Sequence, residues 1–124
     1  MAAPRRQEWA DSAAESFDEL LDYIASTPRG NPDLRAAEVH RAVDALTRDY
    51  KHCRVRRRVR GVELRRFVTK RETCIVFSVE EANGTEVFFV RYVTHAHRRR
   101  LYPPEREVKP FEQSRRVPNP RGDQ

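Results

Sequence analysis

One unbroken stretch, residues 87–102, constrains the fold of this chain more than any other. It begins with the run Val87-Phe88-Phe89-Val90 and ends in a dense group of imidazoles, guanidiniums and a phenol. Valine, phenylalanine and tyrosine favour the pleated, half-buried surface of a sheet. The stretch is therefore predicted to be the last central strand of a small sheet, with the functional edge at its carboxyl end.

Charge is divided unevenly along the chain, which carries a formal net charge of +6. Acidic side chains are spread through residues 8–49, whereas residues 51–71 are strongly basic. An acidic helical half and a basic strand half indicate that a polyanion binds on the basic side, and nucleic acid is the commonest polyanion for a small protein. The alternative is a solvated, arginine-rich surface without a ligand.

Two amphipathic helices are predicted in the acidic half. The first runs from about residue 12 to 26 and begins at Ser12, which has the capping-box spacing to Glu15. Asn31 followed by Pro32 is typical of the start of a second helix. In both helices apolar residues recur in steps of three and four, so each buries one stripe. The stripes are Ala13, Phe17, Leu20, Leu21 and Ile24, and then Ala36, Val39, Val43, Leu46 and Tyr50.

Three consecutive antiparallel strands are predicted after the helices. They cover residues 62–69, 73–79 and 85–95. Asn83-Gly84 is the strongest short signal for a hairpin turn. Residues 51–61 are interpreted as a basic connector with room for a strand turn at Arg60-Gly61. The predicted fold is α+β: an N-terminal antiparallel helix hairpin packed on a three- to four-stranded antiparallel sheet.

The length of 124 residues fits one domain with a single core. Residues 1–102 are predicted to form this domain, with a short edge strand near residues 5–9. Residues 103–124 are charged and rich in proline, so a flexible tail is expected. Phe111 and Val117 are the positions at which this tail would dock.

The cysteines and the apolar runs indicate a cellular compartment. Cys53 and Cys74 do not make a disulfide framework, and the first residues lack the apolar core of a secretory leader. The longest apolar run is too short to cross a bilayer. A cytoplasmic protein with free thiols and no membrane contact is expected. Cys74 has apolar neighbours, so it is expected to be a small core residue.

Three segments, taken in their order and spacing, carry a family resemblance. They are Trp9 to Ala25, Cys74 to Val79, and Val93 to Tyr102, the last of which ends in the pattern His-Arg-Arg-x-x-Tyr. Together they resemble the amino-terminal strand and first helix, the middle strand and the closing strand of the RelE/ParE superfamily of type II toxin-antitoxin toxins. The resemblance covers roughly residues 5–102.

The resemblance implies one of two activities. RelE-like members enter the ribosomal A site and cut mRNA, whereas ParE-like members inhibit DNA gyrase. Tyr102, four residues after Arg98, is more like the RNA-cutting branch, so a ribosome-dependent mRNA endoribonuclease, an mRNA interferase, is the first expectation. Cys74 stands where RNA-cutting members often hold an arginine, which favours the non-catalytic gyrase inhibitor. A plain nucleic-acid-binding domain is a third hypothesis.

The same resemblance implies partners. Toxins of both branches are silenced by a cognate antitoxin whose carboxyl-terminal segment wraps the toxin. A strongly basic toxin favours a small acidic antitoxin, expected to be DNA-binding, with apolar anchors. The ribosome and mRNA, or alternatively DNA gyrase, are the expected targets, and no cofactor is expected.

Cleavage of RNA by its own 2′-hydroxyl needs a base, an acid and fixed positive charge near the phosphate, and it needs no metal. Imidazoles titrate near neutral pH, so His97 is the candidate base or acid. Arg98 is a candidate phosphate clamp, and Tyr102 is expected to stack on a base or donate a proton. The further RNA-binding candidates are Arg65, Arg66, Lys70, Arg71, His95 and Arg99, of which Arg65 and Arg71 are also expected at the phosphate.

Each candidate has a structural alternative. His95 and His97 lie two residues apart, hence on one face of a strand, where a zinc pair or plain surface histidines are the alternatives. For the arginines from Arg98 to Arg100, the alternative is that they simply end a strand in solvent. Tyr102 precedes two prolines and is alternatively a packing anchor for the tail.

Overall fold

A computed structural model describes residues 5–117 of the chain. The fold is α+β, as predicted, with two helices and six strands in this part. In chain order the elements are β1 (Arg6–Ala10), α1 (Asp11–Ser26), α2 (Pro32–Arg48), β2 (Val55–Val59), β3 (Val62–Val68), β4 (Thr73–Ala82), β5 (Thr85–His95), two short 3-10 turns (Glu105–Glu107 and Phe111–Gln113) and β6 (Arg116–Val117).

The strands form one mixed sheet in the order β2-β3-β4-β5-β1-β6. Strands β2 to β5 are consecutive and antiparallel. β1 is parallel to β5, with Arg6 opposite Val87, and β6 pairs antiparallel with β1. The prediction of a three- to four-stranded antiparallel sheet is therefore wrong. Two strands from the ends of the chain extend the antiparallel part, and the local sequence pattern contains no sign of such distant pairing.

The two helices begin in different ways. Asn31 caps α2 as predicted, because its side chain accepts a hydrogen bond of 3.1 Å from the Leu34 N–H, and Pro32 follows it. The capping box predicted for α1 is absent. That helix follows β1 directly, and the Ser12 hydroxyl instead donates to the Arg91 carbonyl of β5 at 3.2 Å. Ser12 therefore joins α1 to the sheet.

Two tight turns organise the antiparallel strands. Arg60 and Gly61 have φ angles of 51° and 79°, and Asn83 and Gly84 have φ angles of 54° and 78°. Positive φ at both central residues is the geometry of a type I′ turn, which matches the twist of the strands it joins. Both predicted turns are confirmed, and the strand before Arg60 adds β2 to the sheet where a connector was expected.

The sheet carries apolar side chains on both faces. Ile75 and Phe77 belong to the main core with the stripes of both helices. The alternate residues Cys74 and Val76 point the other way, into a second cluster that includes Val108 of the tail. We call these the helix face and the tail face. Cys74 is a core residue, as predicted, and its burial raises its thiol pKa to about 11. Both cysteines are buried and unpaired.

A bulge in β5 places two polar residues on the tail face. Tyr92 pairs with Val76 and Val90 with Phe77, so Arg91 is an extra residue in the strand. A bulge redirects side chains that would otherwise alternate. Arg91 accordingly contacts the tail through the Lys109 carbonyl, and its neighbour Tyr92 packs on the second cluster.

The chain after Tyr102 packs on the tail face up to residue 117. Val108 and Phe111 are 1% and 3% exposed, and Val117 pairs with Trp9. The expectation of a flexible tail is therefore wrong for residues 103–117, because two apolar anchors and a short strand hold them. Phe111 and Val117 are the docking points that the sequence indicated. Residues 118–124 lie outside the described part of the chain.

Neither helix of residues 5–117 has the length and apolar character needed to cross a bilayer.

Candidate nucleic-acid interface

A cationic cavity of about 730 Å³ lies where the end of β5 meets the tail. We call it the arginine cavity. Half of its lining residues are arginines, and one is acidic. The lining residues are Arg57, Arg66, Arg99, Arg100, Leu101, Tyr102, Pro103, Pro104, Glu105 and Arg106. Guanidinium groups present planar forks of donors that match phosphate oxygens. Chemically, the cavity is therefore suited to a phosphate-bearing ligand.

Three different parts of the fold bring these arginines together. Arg57 lies on β2, and Arg66 on the adjacent strand β3. Arg99 and Arg100 follow the end of β5, and Arg106 lies in the first 3-10 turn of the tail. The cavity therefore depends on the packing of the tail beside the antiparallel strands.

Tyr102 forms part of the cavity wall. Its ring lies beneath the guanidinium of Arg57, whose central carbon is 4.1 Å from the ring centroid. One side of the tyrosine packs against the second apolar cluster, so the ring is held in place and only partly exposed. The Arg57 guanidinium covers one face of this ring, so an unpaired base can stack on Tyr102 once Arg57 turns to a phosphate.

A second cavity, of about 280 Å³, lies between α1 and the carboxyl end of β5. We call it the helix-edge cavity. Tyrosines, a leucine and polar side chains line it. The lining residues are Ser16, Glu19, Leu20, Tyr23, Tyr92, Thr94, His95, His97 and Arg98. This cavity thus combines apolar and hydrogen-bonding surface.

The two histidines lie close to the β3–β4 turn. The Glu72 carbonyl accepts a hydrogen bond of 2.7 Å from the Ala96 N–H, and the Glu72 carboxylate contacts Nε2 of His97. The backbone N–H of His97 donates a hydrogen bond of 3.2 Å to Nδ1 of the His95 ring. Glu72 therefore orients His97, a geometry that suits an imidazole acting in proton transfer. Both partners are exposed, so the pair adds little to stability.

The environment of His95 differs from that of a surface histidine. Desolvation lowers the pKa of His95, and the positive charges of His97, Arg35 and Arg98 lower it further. The carboxylate of Glu72 acts in the opposite direction. The imidazole of His95 therefore stays neutral to a lower pH than usual, with one nitrogen able to donate and the other able to accept.

The structure divides the predicted catalytic residues between two cavities. His97 and Arg98 line the helix-edge cavity, whereas Tyr102 lines the arginine cavity. Of the predicted RNA-binding residues, Arg66 and Arg99 line the arginine cavity and His95 the helix-edge cavity. No cavity described here contains His97 and Tyr102 together.

Three predicted RNA-binding residues lie elsewhere. Arg65 is on the helix face, where its guanidinium donates to the Cys53 carbonyl and lies 4.9 Å from the Tyr50 ring centroid. Lys70 and Arg71 lie in the turn after β3, and Arg71 faces Glu38 of α2. Neither Arg65 nor Arg71 lines the helix-edge cavity with Arg98, so their meeting at one phosphate stays a prediction. Adjacent residues of a strand point to opposite faces, so Arg65 and Arg66 cannot share a site.

The sequence prediction missed Arg57, Arg100 and Arg106 in the arginine cavity and Tyr23 and Tyr92 in the helix-edge cavity. Arg57 lies within residues 51–61, which were predicted to be a connector. Val55 and Val59, on the same side of a possible strand, were the available signal for β2. Arg106 lies in the segment expected to be flexible. Tyr92 was missed because the bulge at Arg91 changes the face to which it points, and the alternation of apolar and polar residues along a strand does not reveal a bulge.

Within residues 5–117, no group of three or more His, Cys, Asp or Glu side chains is arranged to hold a metal ion. The sequence matches no model of a known protein family and no curated protein.

Proposed function

We propose that this chain is a cytoplasmic toxin of a type II toxin-antitoxin system, of the RelE/ParE superfamily, and that it inhibits translation by cutting mRNA in the ribosome. The helix pair followed by four consecutive antiparallel strands supports the family resemblance. The observation that carries the proposal is the arginine cavity, in which five arginines surround Tyr102.

In the proposed reaction, the arginines stabilise the charge that develops on the phosphate. Arg57 and Arg66 come from strands, so their backbone positions are fixed before RNA binds. Preorganised donors lower the barrier more than mobile ones because they need not reorganise during reaction. Tyr102 stacks on a splayed base or protonates the leaving oxygen. His97, oriented by Glu72, lies in the helix-edge cavity, so it takes the proton of the 2′-hydroxyl from an RNA that spans both cavities.

The test is mRNA cleavage by purified protein in a translating system. Tyr102→Phe and His97→Ala should lower the rate of cleavage, and Arg66→Gln should lower it by removing phosphate binding. Arg41→Gln is the matched control, because Arg41 is exposed on α2 and lines neither cavity. Loss of growth inhibition with unchanged cleavage would contradict the proposal.

A ParE-like, non-catalytic inhibitor of DNA gyrase is the second candidate. It is favoured by the separation of His97 from Tyr102 in two cavities and by the burial of Cys74, which leaves no polar group at that strand position. Inhibition of gyrase supercoiling with intact mRNA would select it. In that case Arg66→Gln should weaken inhibition, while His97→Ala should have no effect.

Either candidate needs a cognate antitoxin. The outer strand β2 presents three exposed arginines in a row, Arg56, Arg57 and Arg58, and its outer edge pairs with no other strand of residues 5–117. An acidic segment adding to this edge would combine main-chain hydrogen bonds with charge complementarity. A neighbouring reading frame that encodes a small acidic protein with a DNA-binding amino-terminal half would support the partner, and copurification on coexpression tests it.

A further inference from the structure

We infer that the helix-edge cavity binds one unstacked nucleobase of the RNA whose phosphates occupy the arginine cavity. This inference rests on the proposed function for the RNA itself. It adds a site that determines which base is accepted.

The cavity is a consequence of the sheet topology. β1 pairs with β5 only as far as Val90, and from there α1 takes the place of the next strand. The Ser12 hydroxyl donates a hydrogen bond of 3.2 Å to the Arg91 carbonyl, and the Ser16 hydroxyl accepts one of 2.9 Å from the Val93 N–H. A helix is wider than a strand, so a gap opens beyond these bonds. Regular elements form the gap, so its shape is fixed.

The walls of the gap suit a flat aromatic ligand. Tyr23 on α1 and Tyr92 on β5 provide aromatic rings, and Leu20 on α1 also lines the cavity. The Tyr23 side chain is 53% exposed, which is high for so large an apolar group. Single-stranded bases are recognised by stacking on such rings, and a base within a duplex cannot enter because it is already stacked.

The polar groups of the cavity can read the edge of a base. The Glu19 carboxylate accepts hydrogen bonds, as from the amino group of a base. Neutral His95 offers the Nε2–H as a donor, because its Nδ1 already accepts the His97 backbone N–H, and the Thr94 hydroxyl offers a donor and an acceptor. The lining pairs one carboxylate, Glu19, with one guanidinium, Arg98, so it lacks the excess of positive charge of the arginine cavity and suits a base better than a phosphate.

The phosphate backbone of the RNA is expected to bind in the adjacent arginine cavity. His97 and Arg98 line the helix-edge cavity, and the following residues, Arg99 to Tyr102, line the arginine cavity. Tyr92 and Tyr102 pack against the same apolar cluster, so both cavities lie beside one patch of the tail face. A strand of RNA can therefore place a phosphate among the arginines and a neighbouring base against Tyr23.

The first experiment measures affinity for short single-stranded RNA by fluorescence anisotropy. The ligands are oligoadenylate, oligocytidylate and oligouridylate, and an abasic ribose-phosphate oligomer of the same length is the control. Tyr23→Ala should weaken binding of at least one base-containing RNA by about tenfold, the usual effect of losing one stacked base. Binding of the abasic oligomer should not change. Tyr23→Phe, which keeps the ring, should bind like the wild type.

Tyr23 is exposed, so the Tyr23→Ala variant should fold like the wild type, and its circular dichroism spectrum checks this. Equal weakening of all ligands by Tyr23→Ala, or no weakening of any, would overturn the inference. A cavity that binds a lysine- or arginine-containing peptide and no nucleoside would also overturn it, because Glu19 and two tyrosines equally suit a cationic side chain of a protein partner.

The second experiment separates failure of this inference from failure of the proposed function. Free nucleosides carry no phosphate, so their binding, followed through the His95 ring resonances, depends on the helix-edge cavity alone. If Arg66→Gln weakens RNA binding but Tyr23→Ala does not, the proposed function stands and the inference falls. If nucleosides shift the His95 resonances but Arg66→Gln leaves RNA binding unchanged, the base site stands and the arginine cavity is not the RNA site.

Discussion

At the scale of the residue, Arg91 shows how a charge is held inside this small fold. It is 1% exposed, and its guanidinium donates to the Ser78 hydroxyl at 3.1 Å, the Glu80 carboxylate at 2.7 Å and the Lys109 carbonyl at 2.7 Å. Desolvation lowers the pKa of Arg91, and Glu80 counteracts this. The Glu80 carboxylate also accepts a hydrogen bond of 2.8 Å from the Phe111 N–H, so the Arg91–Glu80 ion pair holds the tail on the sheet.

Replacing Arg91 by methionine should therefore destabilise the protein strongly. The substitution leaves Glu80 without its counter-charge and the Lys109 carbonyl without its donor, and breaking a buried pair in this way costs about 3 kcal/mol or more. Urea unfolding measures the change. Arg58→Met is the matched control, because the Arg58–Glu63 pair has the same 2.7 Å length but lies in solvent, where the loss should stay below about 1 kcal/mol. Equal losses for the two variants would contradict this view of Arg91.

His95 gives a pH dependence with a definite sign. Its pKa in the folded protein is lowered from the ordinary value of about 6.5. Between the folded and unfolded values the unfolded chain binds more protons, so stability is full above pH of about 6.5 and falls as the pH drops toward the folded pKa. The ring resonances of His95 should titrate below the ordinary value, and His95→Gln should flatten this part of the stability curve. A midpoint at or above the ordinary value would contradict the prediction.

At the scale of the element, the tail behaves as part of the core. Phe111 lies 4.9 Å from Phe89 between ring centroids in an edge-to-face contact, and the guanidinium of Arg116 lies 4.1 Å from the Phe111 ring centroid. Phe111→Ala should lower the free energy of unfolding by about 3 kcal/mol because it leaves a cavity under the tail. Urea unfolding measures this.

The control for Phe111 is an apolar residue in solvent. Leu34→Ala removes a side chain that is 43% exposed, so its effect should stay within about 0.5 kcal/mol. A loss for Phe111→Ala as small as that for Leu34→Ala would mean that the tail is not packed on the sheet.

At the scale of the whole molecule, the arginine cavity concentrates on one side the positive charge that the sequence spreads over many residues. The logarithm of the binding constant for single-stranded RNA should fall linearly with the logarithm of the salt concentration, because each phosphate contact releases counterions. Arg66→Gln should reduce this slope by about 0.7, the value for one phosphate contact of a single strand. Arg41→Gln should leave the slope unchanged. Equal slopes for Arg66→Gln and the wild type would place the RNA elsewhere.

The site was predictable only in part. The sequence predicted the end of β5 as the functional edge, and both cavities do use residues from it. Proximity along the chain does not decide which side a residue faces, so His97 and Tyr102, five positions apart, line different cavities. Arg65 and Arg66 are neighbours on opposite faces of β3 for the same reason.

The sequence by itself determined the features that depend on local physics. The two apolar stripes, the Asn31 cap and the turns at Asn83-Gly84 and Arg60-Gly61 each follow from a few adjacent residues. Only the tertiary structure decided the parallel pairing of β1 with β5, the bulge at Arg91 and the docking of the tail. These features join residues far apart in the chain, and their stability comes from packing that no local pattern encodes. The shape of both cavities depends on them.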